Sequence, residues 1–169
     1  MDKLLIVGAG QYGYVVKELA EQTGLYSKID FLDDNNSIAV GKLTDCERLN
    51  VEYSSAIVAL GNNLLRKIMI EKLKKYNYTI PNIIHASAII SNSAIIGNGC
   101  IIEPGVVINA NSAIGDGVII SANATVNHNC RIGDYCHIDV GASVASACEI
   151  EPLTKIEKDI PEKQVLYNN

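Results

Sequence analysis

Three histidines, a pair of aspartates and a glycine-rich turn are the residues of this chain whose types and spacing suit chemistry. His128 sits in the run Asn127-His128-Asn129. An imidazole is the side chain that takes or gives a proton most readily near neutral pH, and a neighbouring carboxamide can orient it. His137 follows nine residues later, and His85 precedes His128 by forty-three. Neither interval suits ligands shared by one ion, so no metal is expected. Gly8-Ala9-Gly10-Gln11-Tyr12-Gly13 follows an apolar run, Asp33-Asp34 ends a second and Gly61-Asn62 ends a third. Such loops at the carboxyl ends of parallel strands are where open α/β sheets bind ligands, and glycine lets phosphate approach backbone N–H groups at a helix start. Gly8, Gly10, Gln11, Gly13, Asp33, Asp34, Gly61 and Asn62 are therefore expected to bind a phosphate-bearing substrate. Asp and Asn also gather in turns simply to satisfy local backbone donors.

The elements that position these residues fall into two halves. In residues 1–80, strands at Leu4–Val7, Ile29–Leu32 and Ala56–Leu60 alternate with helices at about Tyr14–Gln22 and Leu64–Tyr76. This is an α/β half-Rossmann unit, large enough for one nucleotide but not for a dinucleotide, so NAD chemistry is disfavoured. From residue 81 the pattern changes. Every sixth residue from Ile90 to Ile156 is Ile or Val, and the residue two before each is small or modest, from Ala88 and Ala94 through Cys100 to Thr154. A repeat of six is the signature of a β-helix, in which each hexapeptide makes one short strand and a corner, and three make a coil. Four coils are expected from about residue 88 to 159, with no inserted loop and with Gly97, Gly115 and Gly133 stacked at one corner. Ile89, Ile95, Ile101, Val107 and Ile119 sit just before inward residues and should face outward, an apolar run that a homotrimer would cover. His128 falls two residues after inward Val126 and points out of the column; His137 lies on a different side of the prism.

Composition bounds the function. A formal net charge of −5 offers no basic patch, which argues against nucleic acid or an anionic membrane as partner. The start MDKLLIVGAG runs from a short apolar stretch straight into glycines and reads as a buried strand, not a signal peptide or membrane anchor, so a cytoplasmic protein is expected. Five cysteines without paired spacing fit a reducing compartment, and four of them, Cys100, Cys130, Cys136 and Cys148, take the small inward position of the hexad as buried thiols.

A glycine-motif half-domain, the bridge Asn82-Ile83-Ile84-His85-Ala86-Ser87-Ala88, a hexapeptide column and the block Asn127-His128-Asn129-Cys130-Arg131-Ile132-Gly133-Asp134-Tyr135 together resemble the NeuD/PglD-like sugar acetyltransferases over nearly the whole chain. The resemblance implies that the parallel β-helix is left-handed, against the usual right-handed crossover. It also implies a trimer, acetyl-CoA held between neighbouring β-helices as acyl donor, and a nucleotide-linked sugar held by the first domain. By the same resemblance His128 is the catalytic base, His137 lies near the acetyl-CoA thioester, and Gly8, Gly10, Asp33 and Asp34 hold the uridine and phosphates. Many relatives carry Asp or Glu after the base where this chain has Asn129, which can orient the ring without lending charge. Relatives also continue to a Gly-Asn-Pro-like end, whereas here the hexads stop near Asp159 and the tail reads IPEKQVLYNN. The expected function is acetyl-CoA-dependent N-acetylation of a UDP-linked amino sugar for bacterial surface glycan synthesis. The alternatives are O-acetylation of a sialic-acid-type sugar and a trimeric nucleotide-sugar-binding module without catalysis.

Overall fold

The structure is a computed structural model that describes residues 2–157, 159, 165 and 166. The chain forms two compact units that meet in sequence between Ile83 and Ile84.

In the first unit, β1 (Asp2–Val7), β2 (Tyr26–Leu32) and β3 (Ser55–Val58) form a parallel sheet in the order β2-β1-β3. Central β1 is apolar from Leu4 to Val7 and fully buried, as a strand covered on both faces must be. Helix α1 (Gln11–Thr23) follows the glycine turn and stops at Gly24, which takes the left-handed conformation at φ 65°. The short α2 (Cys46–Leu49), absent from the sequence expectation, precedes β3, and α3 (Asn63–Lys75) follows it. Val16, Leu19 and Ala20 of α1 and Met69, Ile70 and Leu73 of α3 are buried. Tyr26 begins β2 three residues earlier than expected, and β3 stops at Val58, not Leu60.

The second unit is a left-handed parallel β-helix. Two-residue strands pair in parallel eighteen residues apart, as in Thr125↔Ser143 and Val126↔Val144, and build three ladders. The inward residues Ile102, Ile108, Ile120, Val126, Ile138 and Val144 are completely buried. Gly115 shows why glycine recurs at one corner: a Cβ there would lie 2.7 Å from the Asp134 backbone nitrogen of the next coil. Asp134 Oδ1 in turn accepts from Asp116 N at 2.8 Å, as Asp116 Oδ1 does from Asn98 N.

Three sequence expectations change. The column starts a hexad earlier, with Ile83–Ile84 pairing below Ile101–Ile102. It also continues past residue 159, because Val165–Leu166 pairs with Glu149–Ile150; that step is sixteen residues, which hides it from a six-residue search. The outward apolar residues are not all exposed, and successive hexads turn them onto three different faces. Ile89 and Ile95 are 66% and 70% exposed on two of them, whereas Ile101 and Ile119, on the third, are buried. All five cysteines are buried thiols.

Candidate functional site

The corner that carries His128 is pinned at nearly every backbone group. His128 N donates to Asn127 Oδ1 at 2.8 Å, Asn127 O accepts from Ser112 Oγ at 2.7 Å, and Asn129 N donates to Ala110 O one coil below at 2.9 Å. The carbonyl of His128 accepts from Ala147 N, one coil above, at 3.0 Å. Asn129 turns the corner at φ 59°, in the same left-handed well that Asn111 and Ala147 occupy in adjacent coils. Asparagine tolerates that well, and the turn brings its carboxamide back over the preceding ring. Asn129 Nδ2 meets His128 Nδ1 at 2.7 Å, and Ser146 Oγ meets Nε2 at 2.9 Å. An exposed imidazole is thus held from both edges on a rigid corner. With Nδ2 donating to Nδ1, the ring proton sits on Nε2; a half turn of the carboxamide would present Oδ1, move the proton to Nδ1 and leave Nε2 as the acceptor.

His137 lies on another face, in the strand His137–Ile138. Its Nε2 meets Ser121 Oγ at 3.1 Å, and Ser121 is itself buried. The structure does not bring His137 to the His128 corner within one chain, as the spacing implied. His85 turns its Nδ1 to its own loop, accepting from Ser87 N at 3.1 Å. Among the described residues no group of three or more His, Cys, Asp or Glu is placed to hold a metal ion. No helix among them is long and apolar enough to cross a membrane.

In the first unit, the carboxylate of Asp33 accepts from Ala9 N at 2.8 Å, Asn35 N at 2.8 Å and Asn36 N at 3.1 Å. These backbone donors, that of Ala9 foremost, hold its pKa below the usual carboxylate value. Asn36 Nδ2 donates to Ala9 O at 2.8 Å, so the Ala9 peptide is clamped at both its N–H and its C=O. Asp33 therefore shapes the glycine loop. The glycines divide the work. A Cβ on Gly13 would lie 2.1 Å from Gly8 O, so Gly13 serves the packing of α1 on β1, and Gly8 needs its φ of 105° to make the turn. A Cβ on Gly10 or Gly61 would meet nothing within 4 Å, so those two positions are open to an incoming molecule. Gln11 is exposed at the first turn of α1, and the Gly10 N-cap brings no side-chain hydrogen bond to the helix start. Asp34 Oδ1 accepts from Leu43 N at 2.9 Å beside a cleft of about 350 Å³ lined by residues 33–37 and 39–42, Lys42 included. Asn62 caps α3 by accepting from Leu65 N at 2.9 Å.

Sequence reasoning missed four functional or supporting groups. Ser146 and Ser121 lie in unremarked Ser/Ala stretches, and only the eighteen-residue coil repeat, which stacks 146 over 128, could have singled out the first. Asn36 carries no sequence signal beyond its place in a polar run after Asp34. Arg66 is fully buried on α3 and donates to Leu60 O at 2.8 Å, a role that a helix-face pattern does not reveal.

An α/β unit with a glycine turn joined to a hexapeptide column defines the class of hexapeptide-repeat transferases. Comparison with known proteins agrees. The PglD N-terminal domain matches residues 3–73, and the bacterial transferase hexapeptide (six repeats) matches 93–128 and 111–146. The chain is 33% identical over 112 residues to the UDP-N-acetylbacillosamine N-acetyltransferase of Bacillus subtilis (strain 168); the match covers 60% of this chain and spans about half, 51%, of that relative. Among solved structures it is similar to the acetyltransferase domain of PglB from Neisseria gonorrhoeae FA1090 in complex with acetyl coenzyme A. That likeness has a TM-score of 0.78 and 32% identity over 97% of this chain and 95% of the other. It is also similar to PerB from Caulobacter crescentus in complex with CoA and GDP-perosamine, with a TM-score of 0.76 and 25% identity over 98% and 93%. The chain belongs to the NeuD/PglD-like sugar acetyltransferases.

Proposed function

We propose that this protein transfers the acetyl group of acetyl-CoA to the amino group of a UDP-linked amino sugar, in the cytoplasm and in the service of surface glycan synthesis. Residues 1–80 hold the sugar nucleotide and residues 81–169 carry the transfer. The observation that supports this best is the His128 ring gripped between Asn129 and Ser146 on a pinned, exposed corner, in a chain similar end to end to an acetyltransferase domain solved with acetyl coenzyme A.

The reaction needs a neutral amine, a thioester carbonyl and an acceptor for the proton released on attack. His128 is the general base, and Asn129 sets which ring nitrogen accepts. His137 contacts the acetyl-CoA. The phosphates of the nucleotide lie over Gly8, Gly10, Gln11 and the start of α1, where the positive end of the helix dipole favours anions. Gly61 leaves room beside them. Asp33 acts by clamping the glycine loop, and Asp34 lies beside the cleft that receives the uridine. Asn62 supports the site as the cap of α3. Three chains associate as a homotrimer, bringing His137 of one chain toward His128 of another.

The test is thiol release from acetyl-CoA by the purified protein with a panel of UDP- and GDP-linked amino sugars. Turnover with a UDP-linked amine and an amide-bonded product supports the proposal; an ester product, or release that depends on no sugar, refutes it. Light scattering that finds a stable monomer at micromolar concentration would remove the intersubunit placement of His137.

A further inference from the structure

The candidate base does not face solvent with a bare nitrogen. Nε2 of His128 lies 2.9 Å from Ser146 Oγ, and Ser146 is only 9% exposed although the histidine beneath it is exposed. Both residues occupy the same corner in successive coils, the position held by Asn92 and Ala110 in the two coils below. The Ala147 N to His128 O bond fixes the two corners at ladder spacing, so the hydroxyl and the ring are held together by backbone and not only by side-chain choice. An amine approaching Nε2 must either displace Ser146 or go through it.

We infer that Ser146 is a catalytic residue: its hydroxyl meets the substrate amine and relays the amine proton to His128 Nε2. The inference rests on the proposed role of His128 as base. A hydroxyl can accept one proton while donating its own, so the relay needs no movement of the serine. The relay uses the Asn129 carboxamide half-turned, with Oδ1 in place of Nδ2 toward Nδ1, so that the ring proton sits on Nδ1 and Nε2 is left to accept. The amine nitrogen attacks the thioester carbonyl and the C–N bond forms. The ammonium proton passes to Ser146 Oγ as the serine proton passes to Nε2. The C–S bond then breaks, and the thiolate of coenzyme A takes the proton from the imidazolium, leaving amide, thiol and neutral histidine.

The experiment compares wild type, Ser146→Ala, Ser146→Thr and His128→Ala on the sugar nucleotide that the panel identifies, with saturating acetyl-CoA. Ser146→Ala should lower kcat by about ten- to a hundredfold, with both KM values little changed, and Ser146→Thr should restore most of it. The proton inventory in mixed H₂O and D₂O should curve in wild type, with two protons in flight, and become linear in Ser146→Ala. ¹⁵N spectra of the His128 ring should show Nε2 as the unprotonated nitrogen in wild type, accepting a hydrogen bond that Ser146→Ala removes. Wild-type kcat and a linear inventory throughout, with His128→Ala inactive, would overturn the relay and keep the base. A His128→Ala enzyme within threefold of wild type would overturn both. An acetyl group on Ser146 after exposure to acetyl-CoA alone would overturn the relay by making the serine the nucleophile.

Discussion

The two units of this chain hold their working residues by opposite means. Around His128 the positioning is done by backbone: the ladders above and below fix Asn127, His128 and Asn129, and the side chains that grip the ring come from the same corner. Around the glycine loop it is done by side chains: one carboxylate, Asp33, ties three peptides together, and one amide, Asn36, closes the other side of Ala9. A ladder repeats its bonds many times, so it tolerates the loss of any side chain on its outer surface. A clamp built on one carboxylate has no such redundancy. Chemistry and fold should therefore separate under mutation in the β-helix and stay joined in the α/β unit.

The sharpest break of that comparison is His128→Ala. Turnover should fall by about two to four orders of magnitude, the range of a positioned acid–base group, while the melting temperature and the assembly stay as in wild type. Steady-state kinetics beside light scattering checks this, and a lower melting temperature would show that the corner depends on its side chain after all. The ladder itself should fail from within. Gly115→Val drives a branched side chain into the Asp134 backbone and should destabilise the β-helix by about 1–3 kcal/mol, read from denaturant unfolding.

In the other unit, Asp33→Ala frees three backbone donors and should weaken UDP binding by roughly 1–3 kcal/mol in calorimetry, with faster hydrogen exchange at Ala9, Asn35 and Asn36. The pH dependence has a definite sign. Because the folded-state pKa of Asp33 is depressed, its stabilising effect is complete above the unfolded carboxylate value near 4 and fades as pH falls through the lower folded one. UDP affinity should fall with acid in that window in wild type, and this component should vanish in Asp33→Ala. The smallest expected effect is at Asn129. A carboxylate lends the ring a negative charge that the carboxamide cannot, so Asn129→Asp should raise turnover near neutral pH by about threefold. Unchanged turnover would show that charge beside the ring adds nothing to the orientation the carboxamide supplies.

What was legible in the sequence follows the same division. A repeat enforced by stacking writes itself at fixed intervals, so the inward Ile and Val, the stacked glycines and the outward His128 could be read from spacing alone. The column's two ends escaped for local reasons. At Ile83–Ile84 the strand is followed by His85-Ala86-Ser87, which reads as a bridge, and at Val165–Leu166 the step shortens to sixteen residues. Ser146 carries no signal of its own, because its importance comes entirely from what lies one coil beneath it. The α/β unit is harder to read. Asp33 and the glycines were visible as a candidate binding loop, but whether a carboxylate faces a ligand or its own backbone depends on partners twenty-four residues away, which no local pattern encodes.

The uninterrupted ladder has a further consequence for how a reactant finds its place. A prism of identical steps is translationally degenerate: to a first approximation, a molecule sliding along one corner meets the same backbone every 4.7–4.9 Å or so and has no means of counting coils. Only departures from the repeat break that symmetry. In the corner column Asn92, Ala110, His128, Ser146, each step carries a different side chain, and the imidazole, with the hydroxyl at its near edge, is the one that can exchange a proton near neutral pH. The regularity that makes the scaffold rigid therefore leaves addressing to a few side chains, and moving the histidine by eighteen residues would relocate the proposed base by one rung without redesigning the wall.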